Sequence, residues 1–125
     1  MVIKDNLHIY AYAESIIIMI DDSKNIVGQI NISKERIPRK INGKNKYFWY
    51  FNRLFVRADY RNQGYAKFLL SKMINILKKK KINLWLDINP YGDLNYNQLE
   101  KLYIRYGFKK YDYGYIFVND PPLNA

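Results

Sequence analysis

Short apolar runs separated by polar turns fill the first half of the chain, and apolar and polar residues alternate loosely within them. A period of two is typical of strands that bury one face. The pattern predicts four strands, over residues 7–13, 15–20, 26–32 and 47–56. Residues 21–25 are turn-forming and predict a hairpin. Residues 33–46 are basic and polar, with a proline and a glycine, so we interpret them as a loop.

Two helices are predicted in the second half. In the first, residues 63–80, the apolar side chains at helical spacing are Ala66, Leu69, Leu70, Met73, Ile74 and Leu77. Lysines at its end suit the helix dipole. Asn95 begins the second helix as an N-cap, with Gln98 placed as in a capping box, and Gly107 ends it. The remaining predictions are strands at residues 82–89, 108–113 and 115–118, a turn at 90–93 and a tail at 121–122.

The predicted order of elements is β-β-β-β-α-β-α-β-β. A strand–helix–strand crossover in the middle requires a parallel pair of strands, whereas the hairpins supply antiparallel neighbours. The fold class is therefore α/β: a mixed, mostly antiparallel sheet with a central parallel pair and two main helices packed on it. With 125 residues and no linker-like segment, residues 1–125 are expected to form a single domain.

Charge and composition narrow the classes of function. The formal net charge of +10 favours anionic partners, such as nucleic acid, an acidic protein surface or a phosphorylated cofactor. The absence of cysteine excludes disulfides, thiolate zinc sites and a cysteine nucleophile, and we expect no metal. No apolar stretch approaches the roughly 20 residues of a membrane span, and the N-terminus does not resemble a signal peptide. We therefore expect a cytoplasmic protein without a membrane partner.

The segment Arg61-Asn62-Gln63-Gly64-Tyr65-Ala66 joins the fourth strand to the first helix. The first N–H groups of a helix lack intrahelical acceptors and carry the positive end of its dipole, so they can bind a phosphate. Gly64 would let a diphosphate approach the backbone, where a Cβ would block it. Arg61 and Lys67 add positive charge. The alternative is a tight turn that serves only close packing of the helix.

Two segments carry a family resemblance. Residues 61–66, after a strand that ends in Val56, resemble the acyl-CoA-binding signature Arg/Gln-x-x-Gly-x-Gly/Ala of the GNAT superfamily, the GCN5-related N-acetyltransferases. Residues 102–108, Leu-Tyr-Ile-Arg-Tyr-Gly-Phe, resemble the Leu-Tyr-x-x-x-Gly-Phe ending of the same family. The resemblance covers roughly the second half of the chain and implies a GNAT-like fold in which the central parallel strands are splayed apart.

The resemblance also has a gap. GNAT proteins usually carry one or two helices between their first two strands, and residues 13–15 leave no room for them. The chain therefore resembles a short member of the family. Because those helices normally wall part of the acceptor groove, the acceptor site is either open or completed by a second subunit, as in a homodimer.

The activity that the resemblance implies is transfer of an acetyl group from the co-substrate acetyl-CoA to a primary amine by direct attack. Backbone groups of Phe55 and Val56 would pair with the pantetheine arm, and an N–H near Phe55 would polarise the thioester carbonyl. The residues implied to hold the diphosphate, mainly through backbone N–H groups, are Arg61, Asn62, Gln63, Gly64, Tyr65 and Ala66, with Lys67 at the rim.

Tyr103 is, by the same resemblance, the general acid that protonates the departing CoA thiolate. Its place on an apolar helical stripe with Leu99 and Tyr106 fits a core residue equally well. Tyr106 is interpreted as packing.

The general base is not assigned by the sequence. Some GNAT members carry a glutamate on the fourth strand, where this chain has Tyr50 and Asn52. Asp87 is the one acid expected near the centre, and the alternative role for it is that of a strand-end hydrogen-bonding or ion-pair residue. A water chain is the alternative base. His8 lies far from both motifs in sequence and is interpreted as an ordinary strand residue.

The acceptor stays open between a protein lysine, a protein N-terminus and a small amine, with the net charge favouring an acidic macromolecular surface. The alternative function is a catalytically inactive GNAT-like module that binds nucleic acid or an acidic protein. Lysines and arginines precede the aromatic residues 47–51. In nucleic-acid-binding proteins, basic side chains contact the phosphates and aromatic rings stack on the bases. The competing interpretation of those aromatic residues is that they fill the core and line a groove.

Overall fold

The computed structural model describes residues 6–90 and 94–119. Its strands are β1 (Leu7–Ala11), β2 (Ser15–Asp21), β3 (Ile26–Ile41), β4 (Lys44–Val56), β5 (Leu84–Leu86), β6 (Lys109–Tyr111) and β7 (Gly114–Phe117). The helices are α1 (Tyr65–Lys80) and α2 (Tyr96–Arg105), and one 3₁₀ turn spans Ala58–Tyr60. The order of strands and α-helices is the predicted one. Most of the predicted turn at 90–93, and the tail at 121–122, lie outside the described residues.

The strands form one sheet in the order β1-β2-β3-β4-β5-β7-β6. All neighbouring strands in it are antiparallel except β4 and β5, which are parallel. This arrangement confirms the predicted fold class. Because β4 and β5 are joined through α1, the parallel pair lies where the sequence placed the crossover.

The predicted loop over residues 33–46 is wrong. β3 continues to Ile41, β4 begins at Lys44, and Ile41 pairs with Lys44 across a two-residue turn. The turn residues Asn42 and Gly43 both have positive φ, 52° and 78°. Two positive φ angles in a two-residue loop favour Asn-Gly, which is the strongest short hairpin signal in a sequence. The prediction gave more weight to the basic composition than to this turn signal. Residues 33–46 are part of a long two-stranded arm formed by β3 and β4.

The short connection between β1 and β2 agrees with the prediction that no helix fits there. The Tyr12 N–H donates to the Ser15 carbonyl at 2.8 Å and closes a tight turn. β1 then pairs with β2 along its whole length, from Leu7 opposite Ile20 to Ala11 opposite Ile16.

Both helices contribute to one apolar cluster on one face of the sheet. Alternate residues of the central strands supply that face, since side chains point to opposite sides along a strand. The buried members from the strands include Ile16, Ile18, Ile20, Ile30 and Ile32, and those from α1 are Leu69, Leu70, Met73, Ile74 and Leu77. Gly28 lets α1 and β4 approach, because a Cβ there would lie 3.2 Å from Leu69 Cδ1 and 2.8 Å from the Phe55 carbonyl. Within the described residues, no helix is both long and apolar enough to cross a membrane.

A smaller apolar cluster lies on the opposite face and consists of Phe48, Trp85 and Ile116, with Tyr50 and Tyr111 at its border. Gly114 permits this packing, because a Cβ would come within 2.6 Å of Trp85 Cζ2. We call this side of the sheet the helix-free face, since α1 and α2 pack on the other side.

The capping box of α2 is formed as predicted and gives a stability test. Asn95 Oδ1 accepts from the Gln98 N–H at 2.9 Å, and Gln98 Oε1 accepts from the Asn95 N–H at 2.9 Å. We expect Asn95→Ala to lower the free energy of unfolding by about 1 kcal/mol, because an N–H of the first turn loses its acceptor. Urea unfolding would measure this. Asn97→Ala, an exposed change within the same helix, is the control and should leave the midpoint unchanged or slightly higher.

Candidate active site

A cavity of about 620 Å³ lies between β4, the residues after β5, the start of α1 and one face of α2. It exists because β4 and β5 pair over only two positions, Trp49 with Leu84 and Tyr50 with Trp85. Beyond Tyr50, β4 continues to Val56 while β5 ends at Leu86. The central parallel pair is therefore splayed, as the resemblance implied.

A β-bulge marks the point where the two strands part. The pairing of β3 with β4 passes from Asn31–Arg53 to Ile32–Phe51, so Asn52 is an extra residue in β4. A bulge bends its strand and increases the local twist. Because Asn52 comes two residues after the last pair with β5, the bulge turns the rest of β4 away from β5 and opens the cavity.

The start of α1 faces this cavity without a side-chain cap. Its N-cap residue is Gly64, in the left-handed region at φ 88°, and within residues 6–90 and 94–119 no side chain forms a cap hydrogen bond there. Gly64, Tyr65, Ala66 and Lys67 line the cavity. The N–H groups of the first turn have no intrahelical acceptors, so they are suited to an anionic group placed at the cavity mouth.

The loop before α1 is held by side chains rather than by regular structure. Arg57 donates to both oxygens of Asp59, from Nε at 2.7 Å and from Nη2 at 2.9 Å. The Tyr60 hydroxyl donates to Asp22 Oδ2 at 3.0 Å. Arg61 Nε donates to the Val56 carbonyl at 2.9 Å and ties the loop to the end of β4.

The pKa values of the two carboxyls beside this loop are lowered by their hydrogen bonds. The backbone N–H groups of the turn that follows Asp22 lower the pKa of its carboxyl, and Arg57 lowers the pKa of Asp59. Both carboxyls therefore stay ionised at neutral pH and fix the cationic Arg57 beside the loop.

Most predicted site residues meet at this cavity. Those that line it are Val56, Arg61, Asn62, Gly64, Tyr65, Ala66, Lys67 and Tyr103. Gln63 does not line it and is exposed, with its amide nitrogen 3.4 Å from the Asp59 carbonyl oxygen. Phe55 does not line it either.

The strand register explains why Phe55 is turned away. The Arg57 N–H donates to the Val27 carbonyl at 2.8 Å, and Phe55 lies opposite Gln29 in the same ladder. Hydrogen-bonded pairs recur at every second residue of an antiparallel ladder, so the Phe55 N–H and carbonyl point towards β3. The backbone groups that point towards the gap belong to Leu54 and Val56, and both residues line the cavity. Sequence reasoning missed Leu54 because the pairing partner that fixes this alternation was unknown.

Tyr103 reaches the cavity from α2 on the helix-covered side. Its side chain is only 4% exposed and makes edge-on contacts with the rings of Phe51 and Phe108, at centroid distances of 5.7 and 5.8 Å. Burial raises the pKa of its phenol, which therefore stays protonated at neutral pH and is available as a proton donor. Tyr106 is half-buried beside the core and does not line the cavity.

Asp87 reaches the same cavity from just after β5. Its Oδ2 accepts from the Tyr50 hydroxyl at 3.0 Å, and its Oδ1 accepts from Trp85 Nε1 at 3.1 Å. Burial, and then the bond to Asp87, raise the pKa of Tyr50, so that phenol is also a donor at neutral pH. His8 is remote from the cavity lining and lies 2.9 Å from Asp21 on β2. In residues 6–90 and 94–119, no group of three or more acidic, His or Cys side chains could hold a metal ion.

Comparison with known proteins identifies the family of this chain. A profile of the "Acetyltransferase (GNAT) domain" matches residues 12–110. The match spans most of the chain, which therefore belongs to the GNAT acetyltransferase domain family. A search of curated proteins gave no match.

Solved structures share the fold at low sequence identity. The KacTA–DNA complex aligns with a TM-score of 0.64 at 14% identity, over 87% of this chain and 70% of that one. An acetyltransferase of the GNAT family from Staphylococcus aureus Mu50 gives 0.59 at 20% identity, over 85% and 69%. A GNAT family acetyltransferase from Brucella melitensis, in complex with acetyl-CoA, gives 0.57 at 21% identity, over 86% and 60%. These similarities establish the fold, and this chain is the shorter one in each pair.

Proposed function

We propose that this protein is an acetyl-CoA-dependent N-acetyltransferase that moves the acetyl group to a primary amine by direct attack. One observation carries the proposal. The gap between β4 and β5, the uncapped start of α1 and the buried phenol of Tyr103 open into one cavity. A long thioester cofactor needs these features together: a slot, an anion site at one end and a proton donor near the other.

The start of α1 is the proposed diphosphate site. Residues of its first turn line the cavity, their N–H groups have no intrahelical acceptors, and Gly64 has no Cβ to block close approach. Lys67, exposed at the rim, adds a positive charge, and Arg61 holds the loop against β4. The whole protein has a net charge of +10, which favours the binding of an anionic co-substrate.

The gap between the strands is the proposed site of the pantetheine arm. Leu54 and Val56 present backbone groups towards it, so an extended amide chain can pair with β4 much as another strand would. Bound in this way, acetyl-CoA would supply an activated acetyl carbonyl at the narrow end of the gap, near Tyr50 and Trp85.

Tyr103 is the proposed general acid for the departing thiolate. Tyr103 lines the cavity and is shielded from water, and its phenol carries a proton at neutral pH. A phenol in this state can give its proton to a developing thiolate, and positioned proton donors of this kind contribute roughly 10²–10⁴-fold to rates.

Acetyl transfer is tested by incubating the protein with isotopically labelled acetyl-CoA and a cell lysate, followed by mass spectrometry of peptides and of small molecules. We expect labelled acetyl groups on amine nitrogens, with lysine side chains, protein N-termini and small amines as the acceptor classes to be separated. Binding of CoA that is not followed by any labelled product would contradict the enzyme assignment.

A second candidate function is nucleic-acid binding, and a groove separate from the active-site cavity favours it. The groove, of about 420 Å³, lies on the helix-covered side at the other end of the β4–β5 pair. The residues lining it include Lys34, Lys80 and Lys81 together with Tyr47 and Trp49. Lysines beside aromatic rings can track phosphates and stack bases.

Calorimetry distinguishes the two functions. An acetyltransferase should bind CoA, with only moderate dependence on salt. A nucleic-acid-binding module should instead bind single-stranded RNA or DNA with an affinity that falls steeply as salt rises, and should not bind CoA.

A further inference from the structure

We infer that Asp87 receives the ammonium group of the acceptor and takes its proton, so that the acceptor enters from the helix-free face of the sheet. This inference rests on the proposed acetyl transfer and adds the group that activates the amine. It is carried by the position of Asp87 in the cavity, by its two hydrogen bonds and by the side of the sheet on which it lies.

The side of the sheet follows from strand alternation. Leu84 and Leu86 of β5 belong to the main cluster under the helices, whereas Trp85 between them belongs to the small cluster on the helix-free face. Asp87, the next residue, bonds to Trp85 and to Tyr50, which borders the same small cluster. The carboxylate is therefore on the helix-free side of the gap.

Tyr103 enters the same cavity from the opposite side. It belongs to the main cluster with the helices, and both Tyr103 and Asp87 line the cavity. The space between the parted strands thus connects a proton donor on one side of the sheet with a carboxylate on the other.

The carboxylate of Asp87 retains capacity for a cation. A carboxylate offers about four acceptor positions, and the Tyr50 hydroxyl and the Trp85 N–H use one on each oxygen. Both donors are neutral, and none of the ion pairs formed within residues 6–90 and 94–119 involves Asp87. An acceptor ammonium would supply the opposite charge and further N–H donors.

The position of Asp87 is fixed from the neighbouring strand as well. A Cβ on Gly114 of β7 would lie 3.0 Å from Asp87 Oδ1 and 2.6 Å from Trp85, so only glycine lets β7 pack against this pair. On the outer side, the Arg39 guanidinium stacks 4.4 Å from the centre of a Trp85 ring and keeps the indole in place. The carboxylate is therefore held in one orientation towards the gap.

The proton and electron balance is complete without another reagent. The acceptor ammonium gives one proton to Asp87, and the freed lone pair of nitrogen forms the C–N bond to the acetyl carbon. The C–S bond breaks with its electron pair on sulfur, and sulfur takes the phenolic proton of Tyr103. The second proton lost by nitrogen restores the Tyr103 phenol through solvent, and Asp87 releases its proton to water.

The test compares Asp87→Asn with the wild-type protein, using acetyl-CoA and three acceptors: a peptide with one lysine and a free N-terminus, spermidine and n-butylamine. Asparagine keeps one oxygen to accept from a neighbour but cannot take a proton. We expect kcat/KM to fall roughly 10²-fold at pH 7.5 while the Kd for CoA changes less than about twofold. Glu35→Gln, the same chemical change at a nearby exposed carboxylate, is the control and should retain activity.

The pH profile separates loss of the proton acceptor from loss of structure. The free-amine fraction of the acceptor rises towards pH 10, so the activity of Asp87→Asn should recover there relative to wild type. Among the titratable or charged groups around Asp87 are Tyr50 and Glu35 near its hydroxyl partner, and Arg39 and Tyr111 on Trp85. Those that line the same cavity are Arg53, Tyr60, Arg61, Tyr65, Lys67, Lys101, Tyr103 and Arg105. These groups are present in both proteins, but the pKa of Tyr50 depends in part on its bond to Asp87, so the comparison is repeated with Tyr50→Phe in both proteins.

Each outcome decides a different point. Equal kcat/KM for Asp87→Asn and wild type would overturn the role of Asp87 and leave the proposed acetyl transfer standing. A fall without recovery at high pH would overturn proton acceptance by Asp87. A wild-type protein that binds CoA but acetylates none of the three amines would overturn the inference together with the proposed function.

Discussion

Gly64→Glu is expected to abolish detectable CoA binding in calorimetry. The substitution forces a non-glycine residue into a backbone with φ 88° and places a carboxylate beside the N–H groups that are to receive the diphosphate. Two like charges about 4 Å apart repel by about 4 kcal/mol at an effective dielectric constant near 20. Since 1.4 kcal/mol is tenfold in affinity, binding should weaken by roughly a thousandfold.

The control for this variant is Gly43→Glu. Gly43 also has positive φ, 78°, but it lies in the turn of the β3–β4 arm, and a Cβ there would meet nothing within 4 Å. The two variants therefore share the backbone strain and the added charge and differ in their distance from the cavity. If both lose CoA binding equally, or if Gly64→Glu binds as well as wild type, the diphosphate site is misplaced.

Tyr103→Phe should lower kcat by roughly 10²-fold or more while the Kd for CoA stays close to wild type. Phenylalanine preserves the edge-on contacts with Phe51 and Phe108 and removes only the hydroxyl. The thiolate would then leave without a positioned proton donor. Steady-state kinetics with the amine acceptors, combined with calorimetry, measure the two quantities separately.

The matched control for Tyr103→Phe is Tyr106→Phe. Tyr106, the residue that follows α2, packs against the same core but does not line the cavity, so loss of its hydroxyl should not change kcat. Unchanged turnover in Tyr103→Phe would reject its role as general acid and leave it as a core residue. A parallel loss in both variants would point to disturbance of α2 instead.

The fold was largely predictable because its signals are local. A few adjacent residues are enough to predict each of three features: the crossover through α1, the capping box at Asn95 and the end of α2 at Gly107. Gly107 has φ 101°, and a residue that ends a helix in this way needs a positive φ. The β3–β4 arm was missed although its signal, Asn42-Gly43, is equally local. The basic composition of residues 33–46 led to the prediction of a loop, whereas the Asn-Gly turn makes this segment a hairpin.

The site was predictable only in part because it combines local and long-range features. The loop from Arg61 to Lys67 is contiguous, and so could be recognised from one segment. By contrast, the bond between Tyr50 and Asp87 joins residues 37 positions apart, and no periodicity relates them. Whether Phe55 or Leu54 faces the gap likewise depends on the register of β4 against β3, and no short sequence pattern encodes that register.

The parallel contact between β4 and β5, only two residues long, leaves the middle of the sheet with little backbone pairing. One half contains β1 to β4 and the other contains β5 to β7, and side-chain packing beneath α1 and α2 must hold the halves together where backbone pairing is missing. An extended molecule seated in the gap would act as a substitute strand and make the sheet continuous. Occupancy would then stiffen the whole domain, and release of the spent molecule would require that continuity to be broken again.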